Sequence, residues 1–418
     1  MKEDVDVLII GAGVIGITTA YFLSRAGFSV LVVEKLPGPA LETSFANGGQ
    51  LSLIDVTSPL ADLPTIFTGL SGDRADLSPI IHAHFDFGQL RWLANCVLES
   101  IPFRRKRAAQ SCLRLVQQSI AALSELRRRE NLDRHFGKRG AIKFFRDPAR
   151  MKSALRDLEI YSANGVEYDL VDASQISTLE PALEKIAGSI AGGIYSPGDE
   201  VGDCHEFTKE LETICICNGV RLLYQHELET FEPHEGQPVI RTASIKDLGS
   251  ARYREIRAKW FVVAAGVWST NLLRTIHVNI NVYPVKGYSV TIESSQTSAP
   301  SVTVTDADNH CVFSRFSGIF RAAGTVEVDN WQDYPGTGRA DRILALMRGL
   351  FPDAGDYSSA KVWTGLRPLT PDGLPQVHRS RFRNLIINTG HGTLGWTLSV
   401  GSAARVAEII QDDRGGSV

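Results

Sequence analysis

The first part of the chain alternates short apolar runs with glycine-rich turns. Residues 5–10 are mostly β-branched and, apart from Asp6, apolar, which predicts a strand buried on both faces of a parallel sheet. Residues 14–26 place apolar side chains at helical spacing, and Gly27 ends that predicted helix. A second apolar run covers residues 29–33 and is closed by Glu34. The pattern therefore predicts one complete β-α-β unit in about thirty residues.

The same two patterns recur along the rest of the chain. Helical spacing predicts further helices over 85–128, 150–164, 203–217, 339–350 and 393–410. Short apolar runs predict further strands over 140–145, 192–195, 220–224, 260–264, 284–292, 318–327 and 385–388. The runs at 284–292 and 318–327 alternate apolar and polar positions, as strands of an antiparallel sheet do.

The order of these elements predicts an α/β fold with two interwoven domains. A Rossmann-type nucleotide-binding domain is expected from segments 1–80, 200–277 and 361–418. An α+β domain that contains an antiparallel sheet is expected from segments 81–199 and 278–360. The length of 418 residues is sufficient for two such cores.

Composition and charge narrow the functional classes. The formal net charge of -3 gives no general attraction to nucleic acid. Six cysteines form neither a CxxC pair nor a spaced metal set, so we expect no metal and a reducing, cytoplasmic location. No leader segment is evident, and no apolar run is long enough to cross a bilayer, so any membrane attachment is expected to be peripheral. The basic run 104–107 is either a solvated helix face or a contact with anionic lipid or a partner subunit.

A glycine fingerprint joins the first predicted strand to the first predicted helix, at Gly11-Ala12-Gly13-Val14-Ile15-Gly16. Gly11 allows the tight turn, Gly13 lets the backbone approach a pyrophosphate, and Gly16 lets the helix pack close to the strand. Glu34 ends the next strand, 23 positions after Gly11, where its carboxylate can accept hydrogen bonds from ribose hydroxyls. The fingerprint predicts a dinucleotide site but does not distinguish FAD from NAD.

Five longer motifs carry a resemblance to a known family. The chain resembles the bacterial D-amino-acid dehydrogenase small subunits, within the wider D-amino-acid oxidase and glycine oxidase superfamily, from residue 5 to about residue 411. The motifs are the "ETSFANGGQ" of 42–50, "GIYSPGDEVGDCHEF" of 193–207, "VVAAGVWS" of 262–269, "WTGLRPLTPDGLP" of 363–375 and "NTGHGTLGWTLS" of 388–399.

The resemblance implies an FAD domain and a substrate domain with an antiparallel sheet. It implies oxidation of an amino acid, with a hydride passing from Cα to flavin N5 and water then giving the 2-oxo acid and ammonia. Dehydrogenase members pass electrons to a membrane quinone pool, so a quinone or a partner subunit is the expected acceptor, with peripheral membrane association. The segments 140–145 and 306–321 differ from the commonest family patterns, which leaves the identity of the substrate open.

Two residues are expected to serve the chemistry. The resemblance places Arg367 as the clamp for the substrate carboxylate, because a guanidinium can form two parallel charge-assisted bonds; a structural salt bridge under the flavin is the alternative. His391 lies in a glycine-rich loop before a predicted helix, where it faces the flavin or substrate or sits in a packed turn. No His, Asp or Glu is placed so that it must be a general base.

The remaining expected site residues bind the cofactor. Leu228 is assigned a backbone contact with the adenine, and Tyr283, Tyr288, Arg315 and Arg321 are candidates for the substrate pocket or ordinary sheet positions. The full predicted FAD set is Gly11, Ala12, Gly13, Val14, Ile15, Gly16, Glu34, Lys35, Ser44, Gly48, Gly49, Gln50, Leu228, Ala265, Gly266, Trp268, Gly390, Gly392, Thr393, Leu394 and Gly395.

Three other functions stay open at this point. The chain could be an oxidase that reduces oxygen to peroxide, although the local likeness favours a dehydrogenase. It could be the flavin-holding subunit of a heteromeric opine, hydroxyproline or cyanide-forming dehydrogenase; its cysteines offer no iron–sulfur cluster of their own. An NAD-dependent dehydrogenase is the third alternative, since the fingerprint alone would allow it.

Overall fold

The computed structural model describes residues 2–54, 56, 77, 79–82, 86–294, 299–329, 331 and 338–415. In chain order the described strands are β1 (Lys2–Ile10), β2 (Val30–Val33), β3 (Gln50–Leu51), β4 (Ile80–Ile81), β5 (Phe136–Gly137), β6 (Ala141–Phe145), β7 (Asp169–Val171), β8 (Gly192–Ser196), β9 (Glu200–Gly202), β10 (Arg221–Leu223), β11 (His226–Pro233), β12 (Ile240–Asp247), β13 (Tyr253–Val263), β14 (Tyr283–Glu293), β15 (Thr303–Asp306), β16 (Cys311–Phe316), β17 (Ile319–Val328), β18 (Asp356–Leu369), β19 (Gln376–Arg379) and β20 (Leu385–Thr389). The described α-helices are α1 (Val14–Arg25), α2 (Phe87–Glu99), α3 (Pro102–Glu130), α4 (Pro148–Leu155), α5 (Leu158–Ser162), α6 (Ala173–Leu179), α7 (Cys204–Cys217), α8 (Ser269–Arg274), α9 (Arg339–Leu350) and α10 (Gly395–Gly415).

The first large sheet contains the parallel strands that the sequence predicts. Its order is β10-β2-β1-β13, and β20 also lies parallel to β13. Strands β11 and β12 extend the sheet as an antiparallel pair. Apolar residues of α1, α7 and α10 cover one face, and the other face packs on α8 and the β11–β12 pair. Because parallel strands end at one edge, β1, β2 and β13 bring their carboxyl ends together.

The second large sheet is mostly antiparallel, in the order β18-β14-β17-β16-β15-β6-β8-β7. Strand β14 lies between β17 and β18 and runs antiparallel to both. The β14–β17 pairing shifts register between Lys286 and Tyr288, which marks a bulge in β17 between Gly324 and Glu327. Helix α9 packs its apolar side against this sheet. The predicted α/β fold with an antiparallel sheet is confirmed.

Two predicted helices are in fact two helices each. The stretch predicted over 85–128, whose first residue lies outside the described part, divides into α2 and α3 at Ser100 and Ile101. Pro102 causes this break, because a proline is tolerated in the first turn of a helix but not in its interior. The stretch predicted over 150–164 divides into α4 and α5, where tight turns replace the helical hydrogen bonds at Arg156 and Asp157.

The sequence analysis did not identify β18 or the β11–β12 pair as strands. The first half of β18 is largely exposed, and polar residues occupy most of it, so its alternation is weak. In the described part of the chain, no helix combines the length and the apolar character that a bilayer crossing requires. The division of the chain into five domain segments stays a prediction.

Candidate active site

A cavity of about 1530 Å³ lies where the first sheet meets the second. Gly11 and Glu34 line it at the carboxyl ends of β1 and β2, and Ala265 lines it after β13. Tyr288 on β14 and Arg367 on β18 line its other end. Typical small-molecule pockets measure roughly 300–1,000 Å³. This cavity therefore has room for a ligand as long as a dinucleotide together with a small molecule.

The three fingerprint glycines have different surroundings. A Cβ on Gly11, whose φ is 105°, would lie 2.6 Å from the Ala264 carbonyl oxygen. A Cβ on Gly16 would lie 1.9 Å from the Gly11 carbonyl oxygen. A Cβ on Gly13 would meet only the Ser44 Oγ, at 3.4 Å, and Gly13 lines the cavity. Gly11 and Gly16 thus hold the turn together, whereas Gly13 leaves space for a ligand beside the backbone.

Glu34 is held firmly at the end of β2. Its carboxylate accepts hydrogen bonds from the Ala12 amide at 2.8 Å and the Leu36 amide at 2.9 Å. Burial raises the pKa of Glu34 above its ordinary value, and the two amides oppose that rise. Each carboxylate oxygen keeps a further lone pair for a ligand hydroxyl. Ala12 and Gly16 do not themselves line the cavity, because their roles are in the turn.

A small polar cluster stands at the rim beside this edge of the sheet. The Lys35 ammonium lies 3.2 Å from a Glu42 carboxylate oxygen and 4.1 Å from the centre of the Trp268 ring. The Trp268 indole N–H donates to Glu42 at 3.0 Å. The sequence predicted Lys35 and Trp268 as cofactor residues, and Glu42 joins them although it was not singled out. Leu228, Ala265 and Gly266 line the same end of the cavity.

The loop before β3 reaches across the cavity between the two sheets. The Ser44 hydroxyl accepts a hydrogen bond from the Val14 amide in the first turn of α1, at 3.1 Å. The Thr43 hydroxyl donates to the Leu366 carbonyl oxygen on β18, at 2.8 Å. Gly49 has a φ of 71° and packs so closely on Phe316 that a Cβ would lie 2.7 Å from the ring. The predicted residues Val14, Ile15, Ser44, Gly48, Gly49 and Gln50 all line the cavity.

The loop between β20 and α10 closes the cavity from a third side. Gly392, Thr393, Leu394 and Gly395 line it, in a single tight turn that leads into α10. Gly390 does not line it, because a Cβ there would point toward the Thr370 side chain, 2.8 Å away. His391 lines the cavity, and burial lowers the pKa of its imidazole to about 3. His391 is therefore neutral at physiological pH.

Five of the side chains that line the cavity carry a buried polar atom without a hydrogen-bond partner in the described part of the chain. Such atoms are costly to bury, and these five belong to side chains at the wall of one cavity. They comprise donors and acceptors, as the heteroatoms of an FAD require. The atoms are His226 Nε2, Thr325 Oγ1, Asn388 Oδ1, His391 Nε2 and Trp396 Nε1. Together with the open Gly13, they fit the FAD that the sequence predicts.

Arg367 supplies a positive charge at the far end of the cavity, where its side chain is half-buried. Its Nη1 donates to the Thr325 carbonyl oxygen at 2.8 Å, and no carboxylate of the described residues forms an ion pair with it. Burial lowers the pKa of Arg367 to about 10, so the guanidinium remains charged at neutral pH. The structural salt bridge that was the alternative for Arg367 is absent among these residues. A cation that is partly removed from water and has no ion-pair partner among the described residues calls for an anionic ligand.

Two features of the second sheet fix the position of Arg367. Its guanidinium lies across the backbone of Gly287, where a Cβ would come within 2.3 Å of Cζ. Thr325 adopts a φ of 65°, a left-handed conformation that is uncommon for a β-branched residue. This conformation lies at the bulge in the β14–β17 pairing and brings the Thr325 carbonyl oxygen to Arg367. Neither residue was singled out by the sequence.

The four substrate-pocket candidates lie in different places. Tyr288 lines the cavity. Tyr283 lines a separate, smaller pocket. Arg321 donates to the Asn47 carbonyl oxygen at 3.0 Å, so it supports the loop before β3 from behind. Arg315 is not among the residues that line the cavity. Across the described residues, no three metal-ligating side chains come together.

Comparisons with known proteins agree with this geometry. A family model described as FAD dependent oxidoreductase (DAO) matches residues 6–409. The D-amino acid dehydrogenase of Paramagnetospirillum magneticum is 37% identical over 415 residues, which cover 97% of this chain and 94% of that protein. The D-amino acid dehydrogenase of Vibrio cholerae is 35% identical over 407 residues, with 97% and 94% covered.

Solved structures show the same fold. The crystal structure of glycine oxidase from Geobacillus kaustophilus superposes with a TM-score of 0.74 at 22% identity, covering 98% of this chain and 95% of that one. The L-proline dehydrogenase from P. horikoshii gives a TM-score of 0.72 at 17% identity, covering 99% and 95%. At these identities the likeness concerns the fold alone.

Proposed function

The chain belongs to the DAO family of FAD-dependent oxidoreductases, and from this premise we propose that it deaminates a D-amino acid oxidatively, giving the 2-oxo acid and ammonia. The observation that carries the proposal is the guanidinium of Arg367, which faces a cavity large enough for a cofactor and a substrate and forms no ion pair with any described residue. Relatives named D-amino acid dehydrogenase support the substrate class and the use of an acceptor other than oxygen.

FAD, when bound, supplies the acceptor for the two electrons that leave the substrate Cα–H bond. Gly13 and the N-terminus of α1 would hold the pyrophosphate, because Gly13 leaves the backbone bare where a helix begins. Glu34 would hold the ribose, and Leu228 the adenine. Ser44, Gly48, Gly49 and Gln50 would hold the ring system and its ribityl chain. Ala265, Gly266, Trp268 and the turn 392–395 would complete the site.

Arg367 has the task of binding and orienting the substrate carboxylate. A bidentate guanidinium fixes both the position of the carboxylate and the direction of the neighbouring Cα–H bond, which lowers the barrier by orientation. The Thr325 carbonyl oxygen and the bare Gly287 backbone hold that guanidinium in one pose. Neutral His391 can act as a hydrogen-bonding partner in the site, and we assign no general base.

The Gly287→Ala variant tests how Arg367 is positioned. The new methyl group would overlap the guanidinium, which must then move away from its present pose. We expect FAD to remain bound, while KM for the amino acid rises about ten-fold or more, since a carboxylate contact misplaced by about 1 Å weakens sharply. Steady-state kinetics with a dye acceptor measures the change. Gly349→Ala is the matched control, because nothing lies within 4 Å of its Cβ position.

An unchanged KM in Gly287→Ala, with the control also unchanged, would show that Arg367 does not need this pose. Retention of the yellow colour in both variants keeps a loss of flavin separate from a loss of substrate binding.

A substrate panel distinguishes the proposed activity from its rivals. We expect D-amino acids to reduce an artificial dye acceptor under anaerobic conditions, while L-amino acids, proline analogues and opines react slowly. In air, we expect little peroxide for each substrate oxidised, because electrons should pass to a quinone or a partner subunit. Stoichiometric peroxide would instead indicate an oxidase. Activity that appears only after a second polypeptide is added would indicate a subunit of a heteromeric enzyme.

A further inference from the structure

A stripe of apolar side chains runs along the outer surface of α2 and into the start of α3. Phe87 is 79% exposed and Phe103 is 68% exposed, and these are the highest values among the large apolar side chains described. The members of this outer stripe are Phe87, Leu90, Val97, Leu98, Ile101 and Phe103. Phe87, Leu90, Val97 and Leu98 follow helical spacing within α2, so their side chains share one face. Ile101 and Phe103 follow beyond the end of that helix. The stripe leaves six large apolar side chains exposed to water within 17 residues of chain.

The inner face of α2 is apolar as well. Trp92 and Cys96 are buried against β14 and β17 in the core of the second sheet. A helix that is apolar on both faces is normally buried on both sides. Helix α2 has 13 residues, which is too short to cross a bilayer. It is long enough to lie flat at an apolar–water boundary, with its inner face on the protein.

Positive charge is concentrated at one end of the stripe. Arg104, Lys106 and Arg107 are exposed directly after Phe103. Between residues 86 and 107 there are five basic side chains and only two acidic ones, in a chain whose net charge is -3. Within the basic run, Arg104 is paired with Glu99 at 2.7 Å and Arg105 with Asp157 at 2.6 Å. Lys106 is paired more loosely, at 3.6 Å from Glu159, and Arg104 and Lys106 both stay exposed. Arg107 forms no ion pair with any described residue. The surface is therefore apolar along its length and cationic at one end.

We propose that the outer stripe and the basic run 104–107 form a docking surface for an anionic lipid bilayer. The apolar side chains would enter the boundary between head groups and acyl chains, and the cations would contact the anionic head groups. This combination is what an interfacial helix needs. A protein partner is disfavoured, because charged residues are depleted from the cores of protein interfaces, whereas this stripe passes directly into a basic run.

The docking surface lies beside an opening of the cavity. Arg105, inside the basic run, lines the cavity and pairs with Asp157 at 2.6 Å. Arg150 and Asp147 on the neighbouring segment line the same part of the cavity. A bilayer docked on the stripe would place this opening near the lipid, within reach of an apolar electron acceptor dissolved there. Only this last step rests on the proposed function; the docking itself does not.

Vesicle flotation of the purified holoenzyme tests the docking. Vesicles of phosphatidylcholine with phosphatidylglycerol should carry the protein to the top of the gradient, and vesicles of phosphatidylcholine alone should carry much less. The double variant Leu90→Glu and Val97→Glu should reduce the floated fraction at least ten-fold. Leu170→Glu is the matched control, because Leu170 is exposed to the same extent as Leu90, at 52% and 51%, on the opposite edge of the second sheet.

A charge variant tests the cationic end separately. Arg107→Glu should lower binding to anionic vesicles by about five-fold or more, since each cation near an anionic surface contributes noticeably to binding. Arg257→Glu, at an exposed arginine on β13, should leave binding unchanged. High salt should weaken the binding of the unmodified protein.

Three results would overturn the proposal. The unmodified protein could fail to float with anionic vesicles. The double variant could float as well as the unmodified protein. The unmodified protein could form a dimer without vesicles that the double variant does not form, which would make the stripe an interface between copies of the chain. Dye-acceptor activity without vesicles should be equal in all variants, so a failure of the proposed activity would be visible independently.

Discussion

Replacing Gly13 by valine should give a folded protein that retains no FAD. The valine side chain would project into the cavity beside the first turn of α1, where a Cβ meets only the Ser44 hydroxyl at 3.4 Å. The flavin-free protein should therefore lose less than about 1 kcal/mol of unfolding free energy. The pyrophosphate, in contrast, loses the close approach to the backbone that a bare glycine permits. Visible absorbance of the purified protein measures the loss directly.

Gly16→Val is the informative comparison for that experiment. A Cβ at Gly16 would lie 1.9 Å from the Gly11 carbonyl oxygen, so α1 must move away from β1. Overpacking of this kind costs roughly 1–3 kcal/mol or more, so this variant should unfold more easily even without flavin. Denaturant unfolding of the flavin-free forms separates the two effects. A yellow, active Gly13→Val protein would contradict the assignment of the fingerprint to cofactor binding.

Replacing Arg367 by alanine should leave FAD bound and raise KM for amino acids about a hundred-fold. The substitution removes a half-buried cation that faces the cavity without any ion-pair partner in the described residues. Truncating one partner of a buried charge pair costs about 2–5 kcal/mol, and 1.4 kcal/mol corresponds to a factor of ten. Steady-state kinetics with a dye acceptor, together with the flavin absorbance, measures both parts of the prediction.

Two further observations sharpen the test of Arg367. Arg367→Lys keeps the positive charge but loses the planar guanidinium that forms two parallel hydrogen bonds. The variant should therefore retain only part of the affinity for the substrate carboxylate. Because burial lowers the pKa of Arg367 to about 10, its charge is present below that pH and is lost above it. KM in the unmodified protein should therefore rise as the pH passes through about 10. Kinetics that are the same in Arg367→Ala and the unmodified protein would remove Arg367 from the site.

The nucleotide-binding half of the site could be predicted from the sequence because its signals are local. Gly11, Gly13, Gly16 and Glu34 lie within a single β-α-β unit, and their spacing alone determines which end of the sheet they share. The turn at 392–395 could also be predicted from the sequence, because glycines before a helix leave the first amides of that helix uncovered. In both cases a short stretch of chain defines the geometry.

The arrangement of residues that positions Arg367 could not be predicted from local sequence signals. Gly287, Thr325 and Arg367 lie on β14, β17 and β18, and they meet only because of the register of those three strands. A bulge in the β14–β17 pairing gives Thr325 its left-handed φ. A threonine at this position does not by itself indicate such a conformation. The sequence identified Arg367 through resemblance, but the residues that position it required the sheet.

The basic run 104–107 shows a different limit. Its charge was evident in the sequence, but two interpretations stayed open because charge alone does not show what lies beside it. The structure places an exposed apolar stripe directly before the run, and the break at Pro102 lets α2 and α3 present both on one surface. The orientation of α2 depends on which of its two apolar faces meets the sheet, which periodicity could not decide.

The central claim is that one cavity holds FAD and presents an amino acid to it through Arg367. Anaerobic addition of D-amino acids to the purified protein, followed by visible absorbance, tests it most directly. We expect a yellow protein whose flavin absorbance is bleached by at least one D-amino acid and not by its L-enantiomer, with Arg367→Ala yellow but unbleached at the same concentration. A colourless protein that cannot take up FAD, or a yellow one that no amino acid bleaches, would contradict the claim.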